Sequence, residues 1–169
     1  EQFKNLKLIN FPDNNITEIS FDGLDSLEQV IGFKNRIKSF SLNHNSKLRY
    51  FDLGQNNIDS IVVTTDLNHL HTLDLSDNNL KTLVLNNYRM DSLKQLDFYS
   101  NPIKSIQLPE SPNLSFIRCT HTELKTLNLR GFSKLTTVYS YSSPTLSQIC
   151  ISENTDTTKW IKDSQTSYS

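Results

Sequence analysis

A pattern of apolar residues recurs along the chain about every 21 residues, and it constrains the fold more than any other feature of the sequence. In HTLDLSDNNLKTLVL (71–85), Leu73 and Leu75 are two residues apart, as are Leu83 and Leu85, and Asn78 lies between the two pairs. Apolar residues two apart are typical of a β-strand, whereas one face of a helix needs spacings of three and four. The segment therefore predicts two short strands joined by a polar bend.

Seven copies of this pattern, L-x-x-L-x-L-x-x-N-x-L-x-x-L-x-L, follow one another. They begin at Leu6, Leu27, Leu48, Leu70, Leu93, Leu114 and Leu135, which are 21 to 23 residues apart. A tandem repeat of this length and pattern is the signature of a leucine-rich repeat. Residues 1–151 are therefore predicted to form a leucine-rich repeat solenoid. We expect a right-handed coil with one parallel concave β-sheet and with short strands or irregular segments on its convex side.

The ninth position of the repeat follows the first strand and is Asn in the first five copies. These residues are Asn14, Asn35, Asn56, Asn78 and Asn101. We expect each side chain to bond backbone groups of its own bend and of the next turn, which would otherwise be buried without partners. Thr122 and Ser143 occupy the position in the last two copies. Their shorter side chains predict looser turns at the C-terminal end.

The last 18 residues (152–169) depart from the pattern, and we interpret them as a C-terminal capping segment, because a solenoid exposes its core at both ends. A short helix or turn is predicted at Thr157–Asp163, with Trp160 and Ile161 lying over the last turn. At the other end only Phe3 offers cover within the first five residues. The sequence therefore predicts further chain before residue 1 in the native protein.

Charge and composition argue against several classes of function. The net charge is −1 and the isoelectric point is about 6.5, whereas nucleic acids and anionic membranes select for basic patches. No apolar run approaches the length of a membrane span. His69 and His71 lack a third ligand at metal-site spacing, and no nucleophile has a base at a defined spacing. We therefore expect a monomeric, non-enzymatic protein with no metal and no cofactor.

The candidate ligand-binding surface is formed by the variable strand positions that line the concave face. Asp52, Asp74 and Asp97 are expected to stack into an acidic column, which Arg118 and Tyr139 continue. Aspartate between two leucines is common in such repeats, so the column alone indicates little. The complete predicted set is Tyr50, Asp52, Asp74, Asp97, Tyr99, Phe116, Arg118, Tyr139 and Tyr141.

Aromatic residues are the stronger part of this prediction. Tyr99, Phe116, Tyr139 and Tyr141 fall on turns five to seven of the coil, and clustered rings beside charges are typical of binding surfaces. If Tyr168 or Trp160 covered the rings, the patch would instead be a capping contact. The two interpretations make opposite predictions about the exposure of the rings.

Two cysteines complete the sequence-based predictions. Cys119 should face the core as a small apolar residue, whereas Cys150, between Ile149 and Ile151, should face outward. A disulfide needs side chains that point together, so we expect no bond between the two.

The segment LSFIRCTHTELKTLNL (114–129) resembles the internalin-J-like class of bacterial leucine-rich repeat proteins, in which the repeat has 21 residues and often a Cys at the position of Cys119. The other repeats carry Leu, Phe, Gly or Ser there, so the family's column of cysteines is not present. The tail ICISENTDTTKWIKDSQTSYS (149–169) is similar to the end of repeat arrays in secreted Bacteroidetes surface proteins. The resemblance implies an exported, extracellular or cell-surface protein that binds or adheres, often followed by an anchoring segment. It also implies that Cys150 pairs with a Cys beyond residue 169.

The leading functional hypothesis is a binding or adhesion module that presents the concave face of turns three to seven to a protein or glycan at the bacterial cell surface. The alternative is a structural spacer between other domains of a larger secreted protein. A spacer predicts no exposed aromatic cluster, whereas a binding module needs one.

Overall fold

The computed structural model describes residues 3–169, which form a coil of short parallel strands and contain no helix. Seven strands form the main sheet, in the order in which they follow along the coil. They are β1 (Leu8–Asn10), β2 (Gln29–Ile31), β4 (Tyr50–Asp52), β6 (Thr72–Asp74), β8 (Gln95–Asp97), β10 (Phe116–Arg118) and β12 (Thr137–Tyr139). This is the predicted concave sheet, and the predicted solenoid class is confirmed.

A second set of strands, here called the outer strands, occupies the return half of the turns. They are β3 (Ser39–Leu42), β5 (Ser60–Val63), β7 (Thr82–Val84), β9 (Ser105–Gln107), β11 (Thr126–Asn128), β13 (Gln148–Cys150) and β14 (Ser167–Tyr168). β3 pairs with β5, β7 pairs with β9, and β13 lies between β11 and β14, all in parallel. In the described part of the chain the outer strands thus form three separate sheets, with breaks after β5 and after β9. The predicted short outer strands are confirmed.

The core lies between the main sheet and the outer strands. The central residue of each main strand points inward, and Val30, Phe51 and Leu73 stack on one another in consecutive turns with at most 3% exposure. Leu83 and Leu127 close the core from the outer strands. Each fully buried side chain of this size contributes roughly 1.5–3 kcal/mol. Because every turn buries its neighbour, the core is continuous along the coil.

The asparagine ladder links each turn to the one before it. The Asn78 amide donates to the carbonyls of Leu53, Leu75 and Ser76 at 3.0–3.1 Å, and its oxygen accepts the Ile58 N–H at 2.9 Å. Leu53 and Ile58 belong to the preceding turn, so the expectation of a bond to the next turn is wrong in direction. The residue before each Asn in the bend has a left-handed backbone conformation, with φ of 50–56° from Asp13 to His121. We attribute the direction of the amide, toward the preceding turn, to this conformation.

Thr122 and Ser143 make fewer bonds than the asparagines. The Thr122 hydroxyl donates to the carbonyl of Cys119 in its own turn, and the Thr122 N–H donates to the Ser143 hydroxyl. Ile103, in the turn before Thr122, donates its N–H to the Asn101 carbonyl instead of to a ladder side chain. The side-chain links between turns are thus fewer at this end than at Asn78, and that these turns are looser stays a prediction.

The C-terminal tail runs alongside the seventh turn as a further turn of the coil. Trp160 is buried, and Ile161 forms a parallel bridge with Tyr139 while β14 extends the outer pairing of β13. Residues 158–159 form a turn, which is one of the two predicted alternatives. Trp160 covers the core as predicted. Ile161 does not, because its place in the register points its side chain away from the core, where it is 50% exposed.

The two cysteines face as predicted. Cys119 is fully buried below the main sheet, and Cys150 is partly exposed on β13, so both are free. Burial raises the pKa of the Cys119 thiol to about 12, which keeps it protonated and unreactive. Between residues 3 and 169 no helix is long and apolar enough to cross a membrane.

Candidate functional site: the concave face

The register of the main sheet brings the predicted column together. Asp52 lies beside Asp74, Asp74 beside Asp97, Asp97 beside Arg118, and Arg118 beside Tyr139 on successive strands. Neighbouring strands in such a sheet are about 4.8 Å apart, so these side chains form one continuous row. We call this row, from Asp52 to Tyr139, the central row.

Asp97 and Arg118 form the most buried charged pair of the row. The Asp97 carboxylate is fully buried, and Arg118 donates from Nε and Nη2 to the same oxygen, Oδ2, with Nε at 2.7 Å. The other oxygen, Oδ1, is buried and has no hydrogen-bond partner in the described chain. Burial raises the pKa of Asp97 to about 6, which Arg118 opposes and the charge of Asp74 reinforces. Burying a carboxylate is costly, and the Arg118 guanidinium offsets part of that cost by pairing with Asp97.

Tyr99 belongs with this pair and not with the other rings. The Arg118 guanidinium lies over the Tyr99 ring at 4.3 Å from its centroid. A stacked guanidinium is held by the ring's electron-rich face, and Arg118 is thereby fixed between Asp97 and Tyr99. The aromatic patch predicted as one group is therefore divided by Arg118.

Asp52 and Asp74 each accept hydrogen bonds from the residue that lies two positions further along the chain. Asp52 Oδ1 accepts the Gly54 N–H at 2.9 Å, and Asp74 Oδ1 accepts both the N–H and the hydroxyl of Ser76, at 2.9 and 2.6 Å. The Tyr50 hydroxyl lies 3.5 Å from Asp52 Oδ2. Burial raises the pKa of Asp52, and the nearby Asp74 charge adds to the effect.

A small depression of about 200 Å³ lies above these two carboxylates. Gly54 leaves the space open, because a Cβ there would meet the Ser76 hydroxyl at 3.0 Å and Asp52 Oδ1 at 3.3 Å. Phe33, Tyr99 and Arg118 complete the wall. Phe33 was missed by the sequence-based prediction, although it occupies the same strand position as Tyr99.

The remaining rings lie on turns six and seven. Phe116 and Tyr139 contact each other edge to face, with centroids 5.6 Å apart. Tyr141 is 40% exposed and contacts His121 at 6.5 Å. Tyr168 instead lies on the outer strand β14 and contacts the buried Trp160 at 5.9 Å. Neither residue that could have covered the patch is in ring contact with it in the described chain.

Ile161 extends this surface and was not predicted to belong to it. Its bridge to Tyr139 places it in the central row, one turn beyond Tyr139. The signal was present in the sequence, because Trp160 and Ile161 follow Val138 and Tyr139 by 22 residues, which is one repeat. We call Phe116, Tyr139, Tyr141 and Ile161 the apolar patch.

Potential metal ligands are not brought together in the described residues. No cluster of three or more His, Cys, Asp or Glu side chains there could hold a metal ion. On the concave face the geometry offers hydrogen-bonding carboxylates, one guanidinium and an apolar patch.

Comparison with known proteins identifies the same repeat. The family model described as Leucine Rich Repeat matches residues 69–89, which is one repeat of the seven. Together with the coil of parallel strands, this match supports a leucine-rich repeat protein. Leucine-rich repeat solenoids are typically non-catalytic scaffolds and commonly bind proteins. A comparison with characterised protein sequences finds none that matches this chain.

Proposed function

We propose that this protein binds a protein ligand on the C-terminal half of its concave face and that it does so at a bacterial cell surface. The observation that carries the proposal is the apolar patch. Tyr141, two residues after Tyr139, and Ile161, which bridges to Tyr139, are 40% and 50% exposed, and they extend the surface of the Phe116–Tyr139 pair. Exposed apolar groups gain free energy when a partner covers them, and aromatic residues beside Arg are enriched at protein interfaces.

The depression beside the patch defines the chemistry of the partner more closely. Asp97 is paired with Arg118, whereas Asp52 and Asp74 accept hydrogen bonds only from uncharged groups. The depression is therefore acidic, and a Lys or Arg side chain of the partner fits it. The ligand we propose carries such a cation next to an apolar surface that covers Tyr139 and Ile161.

A protein ligand fits these groups better than a glycan. A sugar stacks on an open ring face, and the Tyr99 face is occupied by Arg118. Tyr139 contacts the edge or face of Phe116, which leaves an uneven surface suited to interdigitating side chains. The resemblance of the tail to those of secreted surface proteins supports the location at the cell surface.

The test compares two pairs of exposed apolar residues. Tyr139→Ser with Tyr141→Ser removes two of the three rings of the patch. Val62→Ser with Val84→Ser is the matched control, because it removes two apolar residues of the outer strands that are 53% and 47% exposed. Immobilised protein is used to capture cell-surface proteins, and affinity for each captured protein is then measured. We expect the Tyr double variant to lose affinity at least 30-fold, because each buried ring contributes on the order of 1–2 kcal/mol, and the Val double variant to keep it.

Four outcomes contradict the proposal. Equal loss in both variants would place the binding elsewhere or show that it is non-specific. A fall in melting temperature confined to the Tyr variant would make the rings structural. If no form of the protein captures a protein but the parent binds a glycan and the Tyr variant does not, the ligand is a glycan. If the parent binds neither a protein nor a glycan, the result favours the structural spacer.

A further inference from the structure

A second concavity lies away from the concave face, among the loops that follow the outer strands of turns four to six. It has a volume of about 710 Å³ and is lined by parts of residues 86–91, 106–112 and 128–132. We call it the loop cavity. It adjoins the break in outer pairing after β9, where β9 and β11 belong to different sheets. Its volume is in the range of small-molecule sites, roughly 300–1,000 Å³.

The charges around the loop cavity balance. Arg89 donates to both carboxylate oxygens of Asp91 at 3.1–3.3 Å, so its charge is neutralised within the wall. Arg130 donates from Nε to the Ile151 carbonyl at 3.3 Å, and Glu110 supplies the second carboxylate. With two cations and two anions the cavity has no excess charge, so it favours a neutral ligand.

Uncharged hydrogen-bonding groups are plentiful on the same wall. The Asn86 and Gln107 amides are exposed and make no hydrogen bond to other described side chains or backbone groups. The Ser111 hydroxyl is a second and independent sign of a ligand. Ser111 is 4% exposed, lines the cavity and has no hydrogen-bond partner in the described chain. A buried unpaired hydroxyl costs about 1–3 kcal/mol, so a ligand group that bonds to it would gain free energy.

An apolar wall faces these polar groups. Leu108 and Phe132 are half-buried and pack against the core, and each leaves part of its side chain on the cavity. Pro109 also lines the cavity, and it has no N–H to offer. The cavity therefore combines an apolar side, which contains one aromatic ring, with a side of amides, carboxylates and a hydroxyl.

We propose that the loop cavity binds a neutral oligosaccharide of two or three sugar units. Adjacent sugar hydroxyls both donate and accept, which matches amide groups that present a donor beside an acceptor and carboxylates that only accept. The C–H face of a sugar ring is apolar and matches Phe132. A peptide of the same size has one backbone donor and one acceptor per residue and would leave more of the wall unpaired. This site does not depend on the proposed protein-binding face.

The experiment measures binding of neutral trisaccharides to the full chain. Maltotriose, cellotriose, mannotriose and chitotriose are screened by saturation-transfer NMR, with trialanine as the peptide probe, and affinities follow from titration calorimetry. Asn86→Ala with Gln107→Ala removes two hydrogen-bonding side chains that have no partner in the described chain. Phe132→Leu keeps an apolar residue but removes the ring. Asn57→Ala with Asn79→Ala removes two exposed amides outside the cavity as the matched control.

We expect at least one trisaccharide to bind, with affinity about tenfold weaker in the Asn86/Gln107 variant and weaker also in Phe132→Leu. The Asn57/Asn79 control and the Tyr139/Tyr141 variant should bind like the parent. The proposal is overturned if no trisaccharide binds, if the cavity variants bind as well as the control, or if trialanine binds and the sugars do not. Sugar binding lost only in the Tyr139/Tyr141 variant would also overturn it, because the site would then be the concave face.

Discussion

Turns two to five and turns six to eight of the same coil are held together by different chemistry. In the first region Asn35, Asn56, Asn78 and Asn101 each bond backbone groups of two turns. In the second region the hydroxyls of Thr122 and Ser143 make fewer links, and Asp163 accepts the N–H groups of Ser142 and Ser143 at 2.9 and 2.8 Å. The apolar patch lies entirely on the second region. The apolar part of the surface proposed for binding therefore lies on the region with fewer side-chain links between turns, whereas the acidic depression lies mainly on the first region.

The largest effect we expect is from removal of a ladder asparagine. Asn78→Ala leaves the Ile58 N–H and three buried carbonyls without this partner. Each such loss costs about 1 kcal/mol or more, so the free energy of unfolding should fall by about 4 kcal/mol. Ser143→Ala, the corresponding change in the second region, removes a hydroxyl that accepts the Thr122 N–H and donates to the Cys119 carbonyl, and should lower it by about 2 kcal/mol. Urea unfolding of both variants measures the two values, and equal losses would remove the distinction between the regions.

A smaller effect is expected from the ion pair that joins the regions, since Asp97 lies on turn five and Arg118 on turn six. Arg118→Met leaves a fully buried carboxylate unpaired, which should lower the free energy of unfolding by about 2–3 kcal/mol at pH 8. This value is below the usual range for buried pairs because the Arg118 side chain is 38% exposed and solvent screens part of its charge.

The same variant has a predicted pH dependence. In the parent the pKa of Asp97 is about 6, above its value of about 3.9 in an unfolded chain. The unfolded chain thus loses this proton first, and the Asp97 contribution to stability falls as pH rises from about 4 to 6. Without Arg118 the pKa of Asp97 rises further, so the decline continues above pH 6. Unfolding at pH 4.5, 6 and 8 tests this, and a loss that does not grow with pH would show that Asp97 is not the cause.

The smallest effect is expected when a ladder asparagine is introduced into the second region. Thr122→Asn should direct an amide oxygen to the Ile103 N–H, as Asn101 does for Leu80 at 3.0 Å. We expect about 1 kcal/mol of added stability and slower amide exchange at Ile103. Thr122→Val, which has a similar shape and no hydroxyl, is the control. If Thr122→Asn destabilises the chain, the bend of turn six has no space for the amide, and the two regions differ in packing as well as in bonding.

The period of the repeat determined most of the fold and the neighbours within the candidate site. A spacing of 21 to 23 residues places equivalent positions on adjacent strands, so Asp52, Asp74 and Asp97 had to lie in one row once the coil formed. The same repeat spacing, counted onward from Tyr139, would also have placed Ile161 beside it. It was missed because the tail was treated as lying outside the pattern, although its two apolar residues keep the register.

The sequence by itself therefore determined which residues are neighbours, because the strand register is set by the apolar residues that must face the core. Only the tertiary structure decided what those neighbours do. Asp97 and Asp74 occupy equivalent positions, yet one is fully buried beneath Arg118 and the other folds back onto Ser76. The loop cavity likewise depends on how loops from turns four to six pack beside a break in outer pairing. Side-chain direction and loop packing depend on contacts between turns, which a repeat pattern written along one chain does not contain.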